Sequence, residues 1–380
     1  MMAYIKSLKP ILISSNYGDG KVLGQPLGVK TIGLVEIELN NGKKGYGESY
    51  VAIYVPELFK NIVNFYASKL ERKKLKSPKD IYKELYIPFC SRNGLMGSVY
   101  AAIDIALWDA FCKDNQISFA EINKLKINTS KKIYWSGGSA AFPISKINKE
   151  INSLNYEIFK GYKMRIGRKS WEQDKERILT ANQNLKIDNF MIDAIMGSIR
   201  PPWSFENWIE KISFINKINP LWIEEPLDPE NIRDIKFLKE KIVCNIAMGE
   251  ACTGYLELDS YINCKEIDIL QLDFTHIGGP SSFLLNKDKI ESSKKRIAMH
   301  IWGSPIAFNV NAYIGMCIDN CDWIEYPSVS LDISKNLDFD YFSAKPSLEK
   351  VAKLTGFTNF DLTKINLEEY KFIPGSGFKF

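Results

Sequence analysis

The 380-residue chain has few of the residues that carry redox or zinc chemistry. It contains only two histidines, His276 and His300, so any histidine-dependent step must use one of them. The seven cysteines are dispersed and include no C-x-x-C pair. Cys317 and Cys321 lie close together, but no second pair or nearby histidine completes a zinc site. We therefore expect reduced cysteines in the core of a cytoplasmic protein.

The chain also lacks a strong charge imbalance and a long hydrophobic run. With 50 basic and 45 acidic residues the net charge is +5, and the lysines are scattered, which disfavours nucleic-acid binding. No apolar run approaches the roughly 18 to 20 residues that span a bilayer. The N-terminus has no signal-peptide hydrophobic region. The sequence thus predicts neither a nucleic-acid nor a membrane partner.

Residues 1–130 predict an α+β unit. Two β-rich runs, 30–39 and 43–54, flank Asn40-Asn41-Gly42 and predict an antiparallel hairpin. Helical patterns follow at 56–71 and 97–114; the second has apolar residues at helical spacing and is rich in alanine, which predicts a well-buried helix. Strands followed by a run of helices are typical of an α+β arrangement.

From residue 131 the pattern changes to short apolar runs that alternate with longer amphipathic ones. Continuous apolar runs are typical of parallel strands buried on both faces. Eight β/α units predict a TIM-type barrel over 131–340. The segment 341–380 lacks this alternation, and we expect it to pack back on the N-terminal unit. The eight predicted strands are 131–138, 162–167, 190–195, 221–226, 244–250, 267–273, 296–302 and 322–327.

An ionisable residue lies near the end of seven consecutive predicted strands. Because the C-terminal ends of barrel strands meet at one face, where active sites lie, we expect these side chains to surround one mouth. The seven residues are Arg165, Asp193, Glu224, Glu250, Asp273, His300 and Glu325.

Three of these acids predict a metal site. Asp193, Glu224 and Glu250 lie on consecutive strands, where three carboxylates repel one another unless a cation neutralises them. Oxygen ligands without cysteine or histidine favour Mg²⁺, with Mn²⁺ possible. The alternative is that the three acids pair with lysines and arginines of the barrel.

Asp273 and His300 predict a catalytic dyad. They end neighbouring strands, which lie about 4.8 Å apart in a sheet. Asp273 accepting from one imidazole nitrogen would fix the tautomer and raise the basicity of the other nitrogen. The alternative is a histidine that is merely satisfied in the core.

Further side chains are expected around the same mouth. Lys163 and Arg165 share one face of their strand and suit an anionic substrate. Glu325, if protonated, would donate to an oxygen that gains charge; otherwise it is an ordinary rim acid. His276 is expected to line the pocket, with a bystander role as the alternative.

Two remaining features concern access to the mouth. Trp302 and Phe308, beside His300, are expected to form its apolar wall. The glycine-containing loop 16–20 could close over the barrel and exclude water, although a plain hairpin loop fits equally well.

In combination these motifs resemble those of the enolase superfamily, and within it the mandelate racemase subgroup. The resemblance extends over essentially the whole chain and implies an α+β cap, a modified (β/α)7β barrel and a C-terminal return to the cap. The motifs that carry it are KMR (163–165), MIDA (191–194), IEEP (223–226), MGEA (248–251), LDFTHIGG (272–279), AMHIW (298–302) and WIEYP (323–327), with GYGES (45–49) and AAIDIALWDAFCKD (101–114) in the cap.

The resemblance implies a role for each strand-end residue. The shared chemistry is removal of the proton α to a carboxylate, with the negative charge stabilised as it develops. It implies that Asp193, Glu224 and Glu250 hold Mg²⁺, that His300 with Asp273 is the base, that Lys163 touches the substrate carboxylate, and that Glu325 hydrogen-bonds the enolate oxygen.

Arg165 departs from the family pattern, in which racemases use a second lysine there as a base on the opposite face. Arginine has a pKa near or above 12 and accepts protons poorly. This favours β-elimination by a sugar-acid dehydratase, which gives a 2-keto-3-deoxy acid. The resemblance to the subgroup, rather than any residue here, implies that the substrate is an aldonate such as D-gluconate. A diacid would need a second cationic contact, for which Arg92 or His276 are the candidates.

Other readings stay open at this stage. The chain could be a racemase, epimerase or cycloisomerase of the same superfamily, or a non-catalytic binding protein on a retained barrel. By analogy with the subgroup, we also expect a homo-oligomer, either a dimer or an octamer.

Overall fold

The computed structural model describes residues 3–16, 29–91, 94–328, 345–359, 362 and 366–376. Residues 17–20 of the loop that was expected to close over the barrel lie outside this set, as does Arg92. The predicted domain boundary at 340/341 also falls outside it, and the three domain ranges stay predictions.

A three-stranded antiparallel sheet forms the N-terminal cap. Its strands β1 (Ile5–Asn16), β2 (Val29–Leu39) and β3 (Lys44–Ser49) are paired in chain order. The predicted β2–β3 hairpin is confirmed, and Gly42 supplies the positive φ of 83° that its turn requires. The predicted second strand ends early, because Tyr50–Ile53 form a short 3₁₀ helix.

Four helices complete the cap: α1 (Pro56–Leu70), α2 (Pro78–Glu84), α3 (Gly94–Asn115) and α4 (Phe119–Asn123). Both predicted cap helices are confirmed as α1 and α3. Helix α3 is long and apolar enough to cross a membrane, but 89% of its most apolar window is buried inside the protein. Gly47 lets β3 approach α3, since a Cβ there would lie 2.0 Å from the Ala102 carbonyl oxygen. Helix α3 is therefore the central core helix of the cap.

Eight parallel strands close into a barrel in chain order, with the last strand paired to the first. All eight predicted strands are confirmed, although the second begins at Phe159, before the predicted run. The strands are β4 (Lys132–Gly137), β5 (Phe159–Arg165), β6 (Phe190–Asp193), β7 (Trp222–Glu224), β8 (Asn245–Met248), β9 (Ile269–Leu272), β10 (Arg296–Met299) and β11 (Cys321–Pro327).

Helices connect the successive strands on the outside of the barrel and confirm the (β/α)7β pattern among the described residues. They are α5 (Ile144–Asn152), α6 (Trp171–Asn184), α7 (Phe205–Ile218), α8 (Ile235–Lys239), α9 (Tyr255–Asn263), α10 (Gly279–Ser292) and α11 (Pro305–Met316). A short helix, α12 (Leu348–Ala352), follows the barrel, and 3₁₀ helices occur at Met196–Ser198, Pro229–Asp234 and Leu367–Tyr370.

Buried carboxylates of the cap join it to the barrel and to the C-terminal segment. Glu48, in β3, accepts hydrogen bonds from the Ser304 backbone N–H (2.9 Å) and hydroxyl (2.6 Å) at the start of α11. Asp109, in α3, accepts from the backbone N–H groups of Phe357 (2.7 Å) and Thr358 (3.0 Å). The expected return of the C-terminal segment to the cap is thereby confirmed.

None of the seven cysteines, which all lie in the described ranges, forms a disulfide bond. Five of them are buried and Cys264 is partly buried. The expectation of a core position is wrong for Cys90, which is exposed on the loop before α3.

Candidate active site

The inward-facing residues of the barrel strands place polar side chains directly above an apolar layer. Tyr134, Met191, Trp222, Ala298 and Trp323 belong to this layer, which fills the barrel interior. In a strand, the residue two positions further points to the same side. The layer is therefore followed, toward the C-terminal ends of the strands, by Asp193 after Met191, Glu224 after Trp222, His300 after Ala298 and Glu325 after Trp323.

Lys163 lies at the centre of these carboxylates and is completely buried. Its Nζ is 2.5 Å from Glu224 Oε1, 2.9 Å from Glu325 Oε1 and 3.7 Å from Asp193 Oδ2. Burial opposes its charge, but the three carboxylates raise the pKa of Lys163 above its usual value. Lys163 is thus a permanent cation, and a substrate carboxylate can reach it only if Nζ releases one of these partners.

Arg165 lies above Lys163 and is partly open to the mouth, with 15% of its side chain exposed. Its Nε is 3.4 Å from Asp193 Oδ2, and its Nη2 donates to the Ser136 hydroxyl at 2.9 Å. Nη2 also lies 3.8 Å from Glu325 Oε1. The guanidinium is therefore held at the edge of the mouth, where it can bind an anion.

Glu325 is an ionised carboxylate in this arrangement. Burial opposes its charge, but Lys163, His300 and Arg165 lower the pKa of Glu325 to about 2. Its second oxygen, Oε2, accepts from the Ile301 backbone N–H at 2.8 Å. The protonated state considered from the sequence would require Glu325 to lose its contact with Lys163.

His300 and Asp273 form a close pair. His300 Nδ1 lies 3.0 Å from Asp273 Oδ2. Asp273 Oδ1 accepts from the Thr275 backbone N–H (2.8 Å), the Thr275 hydroxyl (2.6 Å) and the Asn311 amide (2.8 Å). Burial works against the Asp273 charge, but these hydrogen bonds and His300 lower the pKa of Asp273. Asp273 is therefore an anion that accepts from Nδ1–H and leaves Nε2 to face the mouth.

The Nε2 atom of His300 lies 3.3 Å from Glu250 Oε2. Burial alone lowers the pKa of His300, but Glu250 and then Asp273 raise it to about 9. Because Glu250 makes the largest raising contribution, neutralising Glu250 would return the imidazole toward the uncharged form that can accept a proton.

The charges of the site fit a hard dication. Buried carboxylates outnumber the cations Lys163 and Arg165, and burial followed by the Glu224 charge raises the pKa of Asp193 to about 8. Burial likewise raises the pKa of Glu250. The carboxylates are the buried Asp193, Glu224, Glu225, Asp273 and Glu325 and the partly exposed Glu250. A bound dication would supply the charge that this group lacks.

Asp193, Glu224 and Glu250 do not form a closed cage. Within the described ranges, no group of three or more histidine, cysteine, aspartate or glutamate side chains is arranged as a ready metal site. Glu224 is instead held by Lys163, by the Gln271 amide (2.6 Å) and by the Trp222 indole N–H (3.2 Å). The oxygen-only donor set still fits Mg²⁺, since these three strand ends adjoin one another around the barrel.

Glu225 was not predicted as a site residue. It is 1% exposed, has a φ of 42°, and neither carboxyl oxygen makes a hydrogen bond within the described residues. Burial, then the charges of Glu250 and Asp193, raise its pKa well above the usual value, and the nearby Gly249 N–H offsets this only in part. The signal in the sequence was the second acid of IEEP: alternation directs Glu225 away from the side that Glu224 faces.

Aromatic side chains from the cap and the barrel line the mouth. Tyr50 stacks on His276 with ring centres 4.7 Å apart and lies 5.9 Å from Trp302. His276 Nδ1 is buried and has no partner within the described residues, and burial lowers the His276 pKa, so the ring is neutral. Phe308 instead packs against Tyr326 in the core, with ring centres 5.8 Å apart, so its assignment to the wall was wrong.

Lys30 is a second residue that the sequence analysis missed. It is 2% exposed in β2, donates to the Trp302 carbonyl oxygen at 2.7 Å and lies 4.2 Å from the Trp302 ring centre. Burial lowers the pKa of Lys30 to about 7, against the raising effect of Glu48. A lysine within an apolar strand gives no indication in sequence that it contacts a loop far along the chain.

Two adjoining cavities open at the mouth. The smaller, about 60 Å³, is lined by Arg165, Asp193, Glu250, His300 and Trp302, among others. The larger, about 500 Å³, shares Tyr50, Tyr54, Ser198 and Glu250 with it. A third cavity of about 640 Å³ lies at the opposite end of the barrel, where Lys132, Lys160 and Asn189 mark the beginnings of strands, and is remote from the catalytic side chains.

A family model described as "Enolase C-terminal domain-like" matches residues 146–350. Among curated proteins, L-talarate/galactarate dehydratase of Salmonella typhimurium is 26% identical over 335 residues, which cover 84% of this chain and 79% of the relative. Arabinonate dehydratase of Saccharolobus solfataricus is 24% identical over 308 residues, covering 76% of this chain and 77% of the relative.

Solved structures share the fold. The 3,6-anhydro-D-galactonate cycloisomerase of Zobellia galactanivorans superposes with a TM-score of 0.81 at 22% identity, covering 97% of this chain and 99% of that chain. An enolase from Bradyrhizobium complexed with magnesium and mandelic acid superposes with a TM-score of 0.74 at 18% identity, covering 89% and 90%. These likenesses agree with the cap-and-barrel architecture described above.

Proposed function

Because the chain belongs to the enolase C-terminal domain-like family, we propose that it is a Mg²⁺-dependent sugar-acid dehydratase that acts on an aldonate such as D-gluconate. The observation that carries this proposal is the difference between two sides of the mouth. On β10, His300 is an imidazole braced by Asp273. On β5, three positions away around the ring of eight strands, the exposed basic group is Arg165.

The dyad is the proton acceptor. With Asp273 accepting from Nδ1–H, His300 presents Nε2 to the α-carbon of a bound sugar acid. Asp193, Glu224 and Glu250 would hold Mg²⁺, which when bound supplies positive charge that stabilises the charge developing on the substrate carboxylate. Lys163 and Arg165 would supply N–H donors to the same carboxylate, and Glu325 holds both cations in place.

A single base favours elimination over racemisation. An arginine with a pKa near or above 12 accepts protons poorly, so Arg165 would not reprotonate the opposite face of the α-carbon. His300 takes the C2 proton, the C3–O bond breaks, and the proton on His300 passes to the departing hydroxyl to give water. The enol that remains tautomerises to a 2-keto-3-deoxy acid.

The test is a screen of mono- and diacid sugars in D₂O, with and without Mg²⁺, read by ¹H NMR. We expect a Mg²⁺-dependent 2-keto-3-deoxy product that carries deuterium at C3. Substrate recovered with deuterium at C2 and inverted configuration would replace the proposal with a racemase, and a cyclic isomer would replace it with a cycloisomerase. If the screen detects no turnover and the protein binds no Mg²⁺, a non-catalytic binding protein is favoured instead.

Cytoplasmic location and a homo-oligomeric state stay predictions. The names of the two curated relatives differ in substrate, since one acts on diacids and the other on a monoacid. The choice of D-gluconate is therefore tested best by comparing acids that differ at a single carbon.

A further inference from the structure

We propose that the cavity of about 500 Å³ beside the catalytic centre is the subsite for the uncharged, hydroxyl-bearing tail of the substrate, and that it selects monoacids over diacids. This inference rests on the proposed function, because it places the reacting end of the acid beside His300. It adds the residues that receive the other end.

The sizes of the two cavities require the substrate to occupy both. The catalytic cavity of about 60 Å³ has room for only a few water-sized groups, so a six-carbon acid must extend beyond it. The two cavities share the lining residues Tyr50, Tyr54, Ser198 and Glu250 and therefore adjoin, so the larger cavity is the nearest space for a chain that begins beside His300.

The hydrogen-bonding groups of the larger cavity suit hydroxyls. Both carboxyl oxygens of Glu225 and the Nδ1 of His276 are buried there without hydrogen-bond partners among the described residues. A buried polar atom without a hydrogen-bond partner destabilises the protein. Hydroxyl groups, which can both donate and accept, would satisfy these atoms, and the flat ring of Tyr50 on His276 offers an apolar surface to sugar C–H groups.

The charges of the same cavity oppose a second carboxylate. Its described lining residues include five acids and a single arginine, Arg200. Arg200 is 48% exposed, donates through Nη1 to the carbonyls of Met196 and Gly197, and lies 3.8 Å from Asp228, which offsets part of its charge. A carboxylate here would meet like charge from Asp228, Glu230 and Glu257.

The experiment compares D-gluconate with D-glucarate, which differ only at C6, on the Mg²⁺-loaded enzyme. We expect kcat/KM to favour gluconate by at least about tenfold, since like charge at close range costs more than 1 kcal/mol. Equal or better use of glucarate would overturn the inference. If the enzyme preferred glucarate and this preference disappeared in Arg92→Gln, the distal carboxylate of the diacid would be assigned to Arg92, the contact that was considered from the sequence.

Two variants locate the effect. Asp228→Asn keeps the side-chain size but removes the charge, and Glu230→Lys reverses a charge at the exposed rim. Each should raise the glucarate-to-gluconate ratio of kcat/KM about tenfold. Glu172→Gln is the matched control, because Glu172 is 78% exposed on α6, outside the cavity, and should leave the ratio unchanged. A ratio that stays constant in both cavity variants would reject this subsite.

Calorimetric measurement of gluconate and glucarate binding in the presence of Mg²⁺ distinguishes a failure of this inference from a failure of the proposed reaction. If neither acid gives a 2-keto-3-deoxy product but gluconate binds more tightly than glucarate, the dehydratase proposal fails and the subsite stands. If both acids are dehydrated with equal efficiency and equal affinity, the reaction stands and the subsite fails.

Discussion

At the scale of single residues, His300 is the side chain on which the proposed proton transfer depends. We expect His300→Asn to lower kcat by roughly 10²- to 10⁴-fold, the usual contribution of a general base. Mg²⁺ affinity should stay near that of the wild type, because the variant keeps Asp193, Glu224 and Glu250. Turnover is measured by keto-acid formation and Mg²⁺ binding by calorimetry. A variant with wild-type turnover would remove His300 from the mechanism.

Lys163 makes a second prediction, about stability. Lys163→Met leaves Glu224 and Glu325 without the cation that contacts them at 2.5 and 2.9 Å. Breaking a buried ion pair in this way costs about 3–5 kcal/mol. We expect urea unfolding without Mg²⁺ to show this loss, and Mg²⁺ to stabilise the variant more than the wild type, since a dication replaces the missing charge.

The matched control is Lys163→Arg, which keeps a cation and should be destabilised less than Lys163→Met. If all three proteins unfold at the same urea concentration without Mg²⁺, then Lys163 does not neutralise the carboxylates as described.

Residue identities at the mouth were predictable, whereas their contacts were not. The strand-end position of Asp193, Glu224 and His300 follows from alternation and from the barrel rule. The ion pair between Lys163 and Glu224 depends on how β5 and β7 are placed across the barrel interior. No local sequence pattern encodes that placement. The contact of Lys30 could not be predicted for the same reason, because its partner Trp302 is 272 positions away in the sequence.

At the scale of elements, acids from the cap accept hydrogen bonds at the N-termini of two barrel helices, α10 and α11. Asp104, in α3, accepts from the Ser281 backbone N–H (2.6 Å) and hydroxyl (2.7 Å) in the first turn of α10. Glu48 does the same for α11. Such contacts satisfy N–H groups that a helix leaves unpaired at its start. Because they link residues far apart in sequence, they could not be predicted from it.

Asp104 gives a prediction of pH dependence. Burial raises the pKa of Asp104 to about 8, against the lowering effect of Ser281. Between the unfolded value, about 3.9, and the folded value, the folded protein holds a proton that the unfolded chain releases. The stabilising contribution of this group is therefore complete below about pH 4 and is lost as the pH rises through about 8.

Asp104→Asn removes this titration. From pH 6 to pH 8 we expect the unfolding free energy of the wild type to fall relative to that of the variant, by up to about 1.4 kcal/mol per pH unit. Urea midpoints at pH 6, 7 and 8 measure this difference. Parallel pH profiles for the two proteins would show that Asp104 is ionised throughout the range.

Element types were predicted better than element ends. The eight barrel strands are apolar runs between amphipathic segments, a pattern that buried parallel strands share. The run through Tyr50–Ile53 was wrongly assigned to a strand, because a short apolar stretch has the same composition in a 3₁₀ turn.

At the scale of the whole molecule, the site exists only because the barrel closes. Its polar side chains come from residues 163 to 325 and meet at one end of eight strands, beneath an aromatic wall to which the cap contributes Tyr50. The cap, the barrel and the C-terminal segment are joined by buried carboxylates of α3 and β3. The spacing of the strand-end residues predicted the common mouth, while the larger cavity beside it depends on loops and on Glu225, whose surroundings only the folded chain defines.

The most direct test of the central claim is anomalous diffraction from crystals soaked in Mn²⁺, which takes the same oxygen ligands as Mg²⁺. The account predicts one strong anomalous peak in the mouth, within about 2.0–2.4 Å of carboxylate oxygens of Asp193, Glu224 and Glu250. A peak bound by other residues would contradict it. So would Asp193 and Glu224 still held by Lys163 and Arg165, and Glu250 still beside His300, with no ion between them at saturating Mn²⁺.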